Sequence, residues 1–403
     1  MKNRILLTAA ALLLALLLPF SAGAESLRLY TASCFAGGDP SALAYAALLE
    51  AFEAEADCQV VDASMESSES WKRQVLNDFA AGNEPDVLFY FAACADSAPL
   101  LPRVVPLDEI QADYPDLSLP REEQLRENDG RIYAVPVRPY WEGLFCNTGL
   151  FDRLGLPLPT DWPSFLSAVS AFRAEGITPI AVSLSDAPHY LAEMAILSCA
   201  GPEDMSLRPA SFEELPSSWM EGMRVIRELY LLGAFPENTL SMDDSSAAAL
   251  FRSGQAAMRF DGSWFARSLS PDEMSRTVVL PMPSRRPDGA DGDYIGGVSM
   301  GFYLTRRAYA SPLTRDAAVR LLAFLSSESS RKALSGMELF GPLEVSAAAL
   351  TAPGRRMLRP LQDDMNASAR EVWLLDCVPA VAEGTLSPED CWRRVMAQNP
   401  FSP

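Results

Sequence analysis

The chain has 403 residues, 49% of them hydrophobic and 21% charged, with no low-complexity tract and no repeat at solenoid spacing, which excludes a disordered or fibrous protein. Its formal charge of -20, about -22 without Lys2 and Arg4, repels nucleic acid and anionic lipid and argues against both as partners. A single histidine, His189, and seven scattered cysteines with no C-x-x-C exclude a zinc centre of the usual kind.

Residues 1–24 read as an export signal. A basic start, an apolar run from Ile5 to Phe20 and small residues at Ala22 and Ala24 are present, so cleavage is expected after Ala24. The apolar run is about 16 residues, short of the roughly 20 a spanning helix needs. The first cysteine is Cys34, too late for a lipid anchor, so a soluble periplasmic or extracellular product is expected. What remains is long enough for two lobes of ordinary domain size.

Residues 27–30 alternate as a strand, a loop with Gly37-Gly38 follows, and the spacing over 43–55 predicts a helix. Residues 59–62 read as a second strand, 71–80 as a helix ended by Gly82, and 86–91 as a continuously apolar third strand. Apolar strands between helices imply a parallel sheet covered on both faces, with ligands at the strands' carboxyl ends. Pro136 and Pro139 interrupt the strand-like run from Arg131, which suits a crossing between lobes better than one central strand. Helices over 164–175, 190–199, 219–232 and 243–252, a strand at 180–182 and a glycine-rich strand over 295–304 come next. Helices over 315–325, 370–382 and 388–397 close the chain.

The motifs of other chemistries are missing: no G-x-S-x-G elbow accompanies His189, and there is no phosphate-binding loop and no G-x-G-x-x-G after a strand. Binding therefore outranks catalysis. Glycoside hydrolysis by two carboxylates stays open, because 53 acidic residues offer many pairs. The odd number of cysteines argues against a disulfide framework, with Cys377 and Cys391 the pair to test.

Five stretches, taken in order, carry a resemblance. They are residues 82–86 with the strand that follows; 133–151; Asp161-Trp162-Pro163-Ser164-Phe165, whose helix ends before Gly176-Ile177-Thr178-Pro179-Ile180; 250–258 leading into Asp261-Gly262-Ser263-Trp264; and the strand 296–304. Together they resemble the extracellular solute-binding proteins of bacterial ABC importers, in the sugar-binding family that includes the maltose-binding protein. Cys146 departs from the pattern, since an aromatic is common there. The resemblance implies an α/β, two-lobed periplasmic-binding-protein-like fold with a hinge between the lobes and a ligand cleft. The N-lobe would be 25–137 and 292–343, the C-lobe 138–291 and 344–403. The implied function is that of a monomeric substrate-binding subunit without cofactor or metal, which captures a carbohydrate and delivers it to a membrane permease. An exported glycoside hydrolase and a ligand sensor for a membrane receptor kinase are the alternatives.

A sugar offers hydroxyls at its edge and a weakly apolar C–H face, so its site stacks aromatics on the face and sets carboxylates, amides and hydroxyls at the edge. Trp264, in a loop beside Gly262, is the first candidate, with Ser263 and Asp261 as edge contacts. The resemblance brings Tyr90 to the cleft; the other reading buries it beside Phe89 and Phe91. Tyr140, Trp141 and Glu142 border the cleft at the first crossing. Alternation along a strand gives Tyr140 and Glu142 one face and Trp141 the other, and the first face is favoured for the ligand. His189 is a ligand contact or an ordinary helix start, and Trp373 reaches the cleft or packs its helix. Gly297 and Ser299 admit backbone approach to a ligand or pack closely at a crossing. Ser33, Gly37 and Asp39 are edge candidates in the first loop. Acidic residues near the cleft would equally suit a cationic ligand such as a polyamine.

Overall fold

A computed structural model describes residues 27–137, 139–286, 293–335 and 343–401. The expected export signal lies outside them. Among the described residues no helix is long and apolar enough to cross a membrane.

The strands fall into two sheets. The first runs β2 (Cys58–Asp62), β1 (Leu27–Ala32), β3 (Val87–Phe91), β10 (Met300–Leu304), β4 (Val135–Pro136); β1 is parallel to β2 and β3, and β10 is antiparallel to β3 and β4. The second runs β11 (Met357–Leu358), β9 (Tyr294–Gly297), β5 (Tyr140–Asn147), β7 (Ala256–Gly262), β6 (Thr178–Ile180), with β8 (Thr277–Leu280) also pairing with β5.

Each sheet has its own core, because helices cover it with one apolar stripe each. In the first, the Ala42–Ala56 helix buries Tyr45, Leu49 and Phe52, residues at helical spacing, while Val87 to Tyr90 of β3 are all buried. Gly82, in the left-handed region at φ 79°, ends the Glu69–Ala81 helix. In the second, a capping box between Asp161 and Ser164 starts the Trp162–Ala174 helix, which buries Trp162, Phe165 and Phe172. Trp392 sits between Trp219 and Trp373, with ring centroids 5.1 and 5.4 Å apart.

The chain passes between the sheets where backbone constraints permit it. Val135-Pro136 belongs to the first sheet and Tyr140 onward to the second, so the proline-interrupted run is a crossing. The glycine-rich segment expected as one strand is two. β9 pairs with β5 in the second sheet and β10 with β3 in the first, so the second crossing falls at Val298-Ser299 rather than at 291/292. Gly297 supplies the break, with φ 150°, a conformation that side chains resist. Leu334 packs in the first core and Leu343 in a separate small cluster of the second lobe with Phe145 and Phe265; the residues between them lie mostly outside the described set. All seven cysteines are free thiols, Cys377 and Cys391 included.

One close approach fixes the helix that matters for the site. The His189–Cys199 helix lies against the Ser217–Leu231 helix at Gly222, where an added Cβ would come 2.5 Å from the Ile196 Cα. Neither backbone can yield to a methyl without the helices separating. Gly222→Ala is expected to cost about 1–3 kcal/mol, read as a lower thermal midpoint; an unchanged midpoint would show that the helix pair is not tightly set.

Candidate ligand-binding cleft

Three elements of the second lobe converge on one cluster of aromatic and acidic side chains. From β5 come Tyr140 and Glu142, on the same face, while Trp141 points the other way and stacks with Phe145 at 5.8 Å. The register sets Tyr140 opposite Gly297 and Glu142 opposite Gly262. From the His189–Cys199 helix come His189, Tyr190 and Glu193; from the end of β7 come Gly262 and the short Ser263–Ser268 helix bearing Trp264. The Trp264 indole folds back over Gly262, where a Cβ would sit 2.2 Å from its ring. Only glycine allows that approach.

The result is an aromatic cluster centred on Trp264. Its ring lies 5.8 Å from both Tyr140 and Tyr190, and Tyr190 is 3.9 Å from His189. All four rings are half-buried, as a wall that faces a cleft should be. Burial, with Lys72, Arg259 and Arg370 nearby, drops the His189 imidazole to about 3. It is therefore neutral at physiological pH and able both to donate and to accept.

Behind the aromatics lie carboxylates. Asp261 is buried and ion-paired at 2.6 Å with Arg259, which is itself buried and reaches Asp244 at 2.7 Å. Glu193 accepts the backbone N–H groups of Leu361 and Gln362 at 3.0 and 2.9 Å; burial outweighs these bonds and lifts its carboxyl to about 8. Asp363 is raised to about 6 by burial, against the pull of Arg359. Glu142, 3% exposed, is pushed well above the ordinary carboxylate range, by burial and by Glu193, Asp363 and Asp261.

The first lobe meets this wall through the loop after β3. Arg359 donates to the Ala93 carbonyl at 2.5 Å, Ala95 N–H to the Asp363 carbonyl at 3.2 Å, and Arg370 pairs with Asp96 at 3.0 Å. Lys72 holds the other Asp96 oxygen at 3.3 Å. Burial alone would raise the Asp96 carboxyl, but Lys72 and Arg370 hold it below its usual range. Ala93 has φ 53°, a strained value for a side-chain-bearing residue, and its N–H is fixed by Glu127 at 2.9 Å.

The structure sorts the residues singled out from the sequence. Trp264, Tyr140, Glu142 and His189 come together on the wall. Asp261 is committed to Arg259 and to the N–H of Gly262 at 2.7 Å, and Ser263 is buried at the helix start. Gly297 gives room to Tyr140 and Gln124, and the Ser299 carbonyl accepts from Ala92 at 2.8 Å. Asp39 accepts from the Ser41 N–H at 2.7 Å, at the turn before the Ala42–Ala56 helix. Tyr90 and Trp373 are fully buried, Tyr90 against Trp71 and Trp373 against Trp392; neither offers surface to a ligand. Tyr190, Glu193 and Asp363 were missed. For Glu193 a signal existed: it is a lone carboxylate in the apolar run 191–197.

Two α/β lobes joined by crossings, with the aromatic cluster on the second beside the contacts to the first, make a two-lobed fold. The family model for bacterial extracellular solute-binding proteins matches residues 38–332, and the chain belongs to that family. A curated relative, the multiple sugar-binding protein of Streptococcus mutans serotype c (strain ATCC 700610 / UA159), is 24% identical over 143 residues. That match spans 33% of this chain and 34% of the relative. A solved structure from work on xylan utilisation by Caldanaerobius polysaccharolyticus superposes with a TM-score of 0.79 at 21% identity, covering 92% of this chain and 100% of that one. A chitin oligosaccharide binding protein superposes at 0.77 and 21% identity, covering 93% and 98%. At such identities these likenesses establish the fold.

Two outcomes follow from the electrostatics. Glu193 and Asp363 have folded values near 8 and 6 against ordinary values of 4.5 and 3.8, so the folded state binds protons more tightly than the unfolded one. Their contribution to stability is fully present below about pH 4 and is lost as pH rises through 6 and 8. The thermal midpoint of the ligand-free protein should therefore fall between pH 5 and 8, less so in Glu193→Gln; a flat profile would contradict the assignment. Asp96→Asn removes the charge that Arg370 and Lys72 share across the lobes. Small-angle scattering of the ligand-free variant should give a larger radius of gyration, and an unchanged radius would show that the triad does not hold the lobes together.

Proposed function

We propose that the chain is the substrate-binding subunit of an ABC importer, capturing a carbohydrate between its lobes and presenting the closed form to a membrane permease. The observation that carries this reading is the Trp264 cluster: Tyr140, Trp264 and Tyr190 offer adjoining aromatic faces beside the carboxylate of Glu142. Aromatic faces suit the C–H side of a pyranose and the polar groups its hydroxyl edge. The names of the relatives, a multiple sugar-binding protein and a chitin oligosaccharide binding protein, point the same way. Tyr140, Glu142, His189, Tyr190 and Trp264 are the proposed ligand contacts, with Ser263 and Asp261 supporting Trp264 from behind.

Loops from both lobes border the cleft, so a ligand seated there contacts both and favours the closed population. No bond is made or broken in this cycle, so chromogenic glycosides should be left unhydrolysed. The energy of binding appears instead as a shift between open and closed forms.

A panel of mono- and oligosaccharides should raise the thermal midpoint, since a ligand bound only by the native state stabilises it. Trp264→Ala should weaken binding of the active sugar by about tenfold or more, the cost of losing a central aromatic anchor, and leave the ligand-free midpoint within a few degrees. If no saccharide shifts the midpoint while amino acids or metal ions do, the carbohydrate reading falls.

A further inference from the structure

The carboxylates of the cleft are not matched by cations. Arg259 is taken by Asp261 and Asp244, Arg359 and Arg208 by Asp364, and Lys72 and Arg370 by Asp96. Among the described residues Glu142, Glu193 and Asp363 are in no ion pair. Glu193 has two backbone N–H donors. Glu142 has less: it is 3% exposed, and its Oε2 has no hydrogen-bond partner among the described residues. Buried oxygens are almost always satisfied in a folded protein, so this one marks a place where a donor from outside belongs. Its surroundings restrict what that donor is. Tyr140 lies on the same strand face, Trp264 and Tyr190 adjoin it, and the ionisable groups that act on Glu142 are all carboxyls, those of Glu193, Asp363 and Asp261, with no cation among them. Carboxylates backed by aromatic faces make a setting for an ammonium group, which the ring faces also attract.

We propose that the cleft takes a saccharide bearing a free ammonium group, an amino sugar without an N-acyl cap, with the ammonium seated against Glu142. This rests on the reading of the cleft as a carbohydrate site. A hydroxyl would give the free Oε2 one hydrogen bond and no countercharge. An ammonium brings three donors and the countercharge that the Glu142 carboxylate lacks, and charge-assisted bonds of this kind are the strong ones. An N-acetyl group instead brings one N–H and a carbonyl acceptor, which adds to the excess of acceptors. The pyranose would lie on Trp264, and the neutral His189 ring remains available to its hydroxyls. Burial raises the Glu142 carboxyl and an ammonium seated against it favours the ionised form, so binding is linked to proton release, which gives it a second readout.

The test is titration calorimetry of the whole protein at pH 6.5. The titrants are the β-1,4 disaccharide of glucosamine with free amines, its N,N′-diacetyl form, cellobiose, and putrescine. The free-amine disaccharide should bind at least about tenfold tighter than the two neutral ones. Its heat should also vary between buffers of different ionisation enthalpy, reporting proton release. Glu142→Gln should bring the ratio of amine to neutral affinity to within about threefold. Asp363→Asn, at a position that is not fully buried, should reduce the same ratio if the first variant does not fold. Neutral disaccharides that bind as tightly as the amine, or a preference that survives folded Glu142→Gln or Asp363→Asn, would overturn the ammonium site and leave the carbohydrate reading intact. Binding of putrescine with no disaccharide, or of none of the four, would overturn both.

Discussion

Glu193 accepts two main-chain hydrogen bonds, from Leu361 and Gln362, and the arrangement of the cleft depends on that clamp. The clamped segment carries Arg359, Asp363 and Asp364. Arg359 and the Asp363 carbonyl reach the Ala93–Ala95 loop of the first lobe, while Asp364 holds Arg208. A carboxylate with no ion pair is costly to bury, and Glu193 is fully buried. Its worth lies in position: it ties a late stretch of the chain to the helix that bears His189 and Tyr190. The wall of the second lobe and its bridge to the first thus share one anchor.

The other buried charges show how burial is offset elsewhere. Arg259 lies between Asp261 and Asp244 and over the Phe265 ring at 5.0 Å, so its charge is both paired and hydrogen-bonded, the condition under which a buried ion is tolerated. It braces the end of β7 from which Trp264 projects. Asp96, shared by Lys72 and Arg370, does the same between the lobes. Glu142 departs from the pattern. Its Oε2 has no hydrogen-bond partner among the described residues, and no cation offsets its burial. The left-handed Ala93 is a further departure; strained backbone tends to persist where the surroundings over-determine it at sites of function.

How far the sequence revealed the cleft varies by residue. Strand alternation placed Tyr140 and Glu142 together and Trp141 apart, because period two is a local property of the backbone. Trp264 stood out by its glycine neighbour, although the structure puts it on the short Ser263–Ser268 helix rather than in a loop, and the reason for Gly262, the indole lying over it, appears only in three dimensions. Tyr90 and Trp373 misled, since an aromatic at the end of a strand or on a late helix looks the same whether it faces a cleft or a core. The glycine-rich run read as one strand because each half is strand-like; only pairing with different sheets divides it at Gly297. Tyr190, Glu193 and Asp363 could not be brought together beforehand, as they meet through contacts between segments about 170 residues apart.

The sequence by itself determined the periodic features: most of the helices and strands, the helix stop at Gly82, the proline-marked first crossing and the family to which the chain belongs. These depend on neighbours a few residues away, so composition and spacing suffice. Tertiary structure alone decided which aromatics face the cleft, which carboxylates are matched, and which loop of one lobe meets which segment of the other. Burial and charge pairing are properties of assembled surfaces, and a residue's desolvation is fixed only when distant parts of the chain close over it.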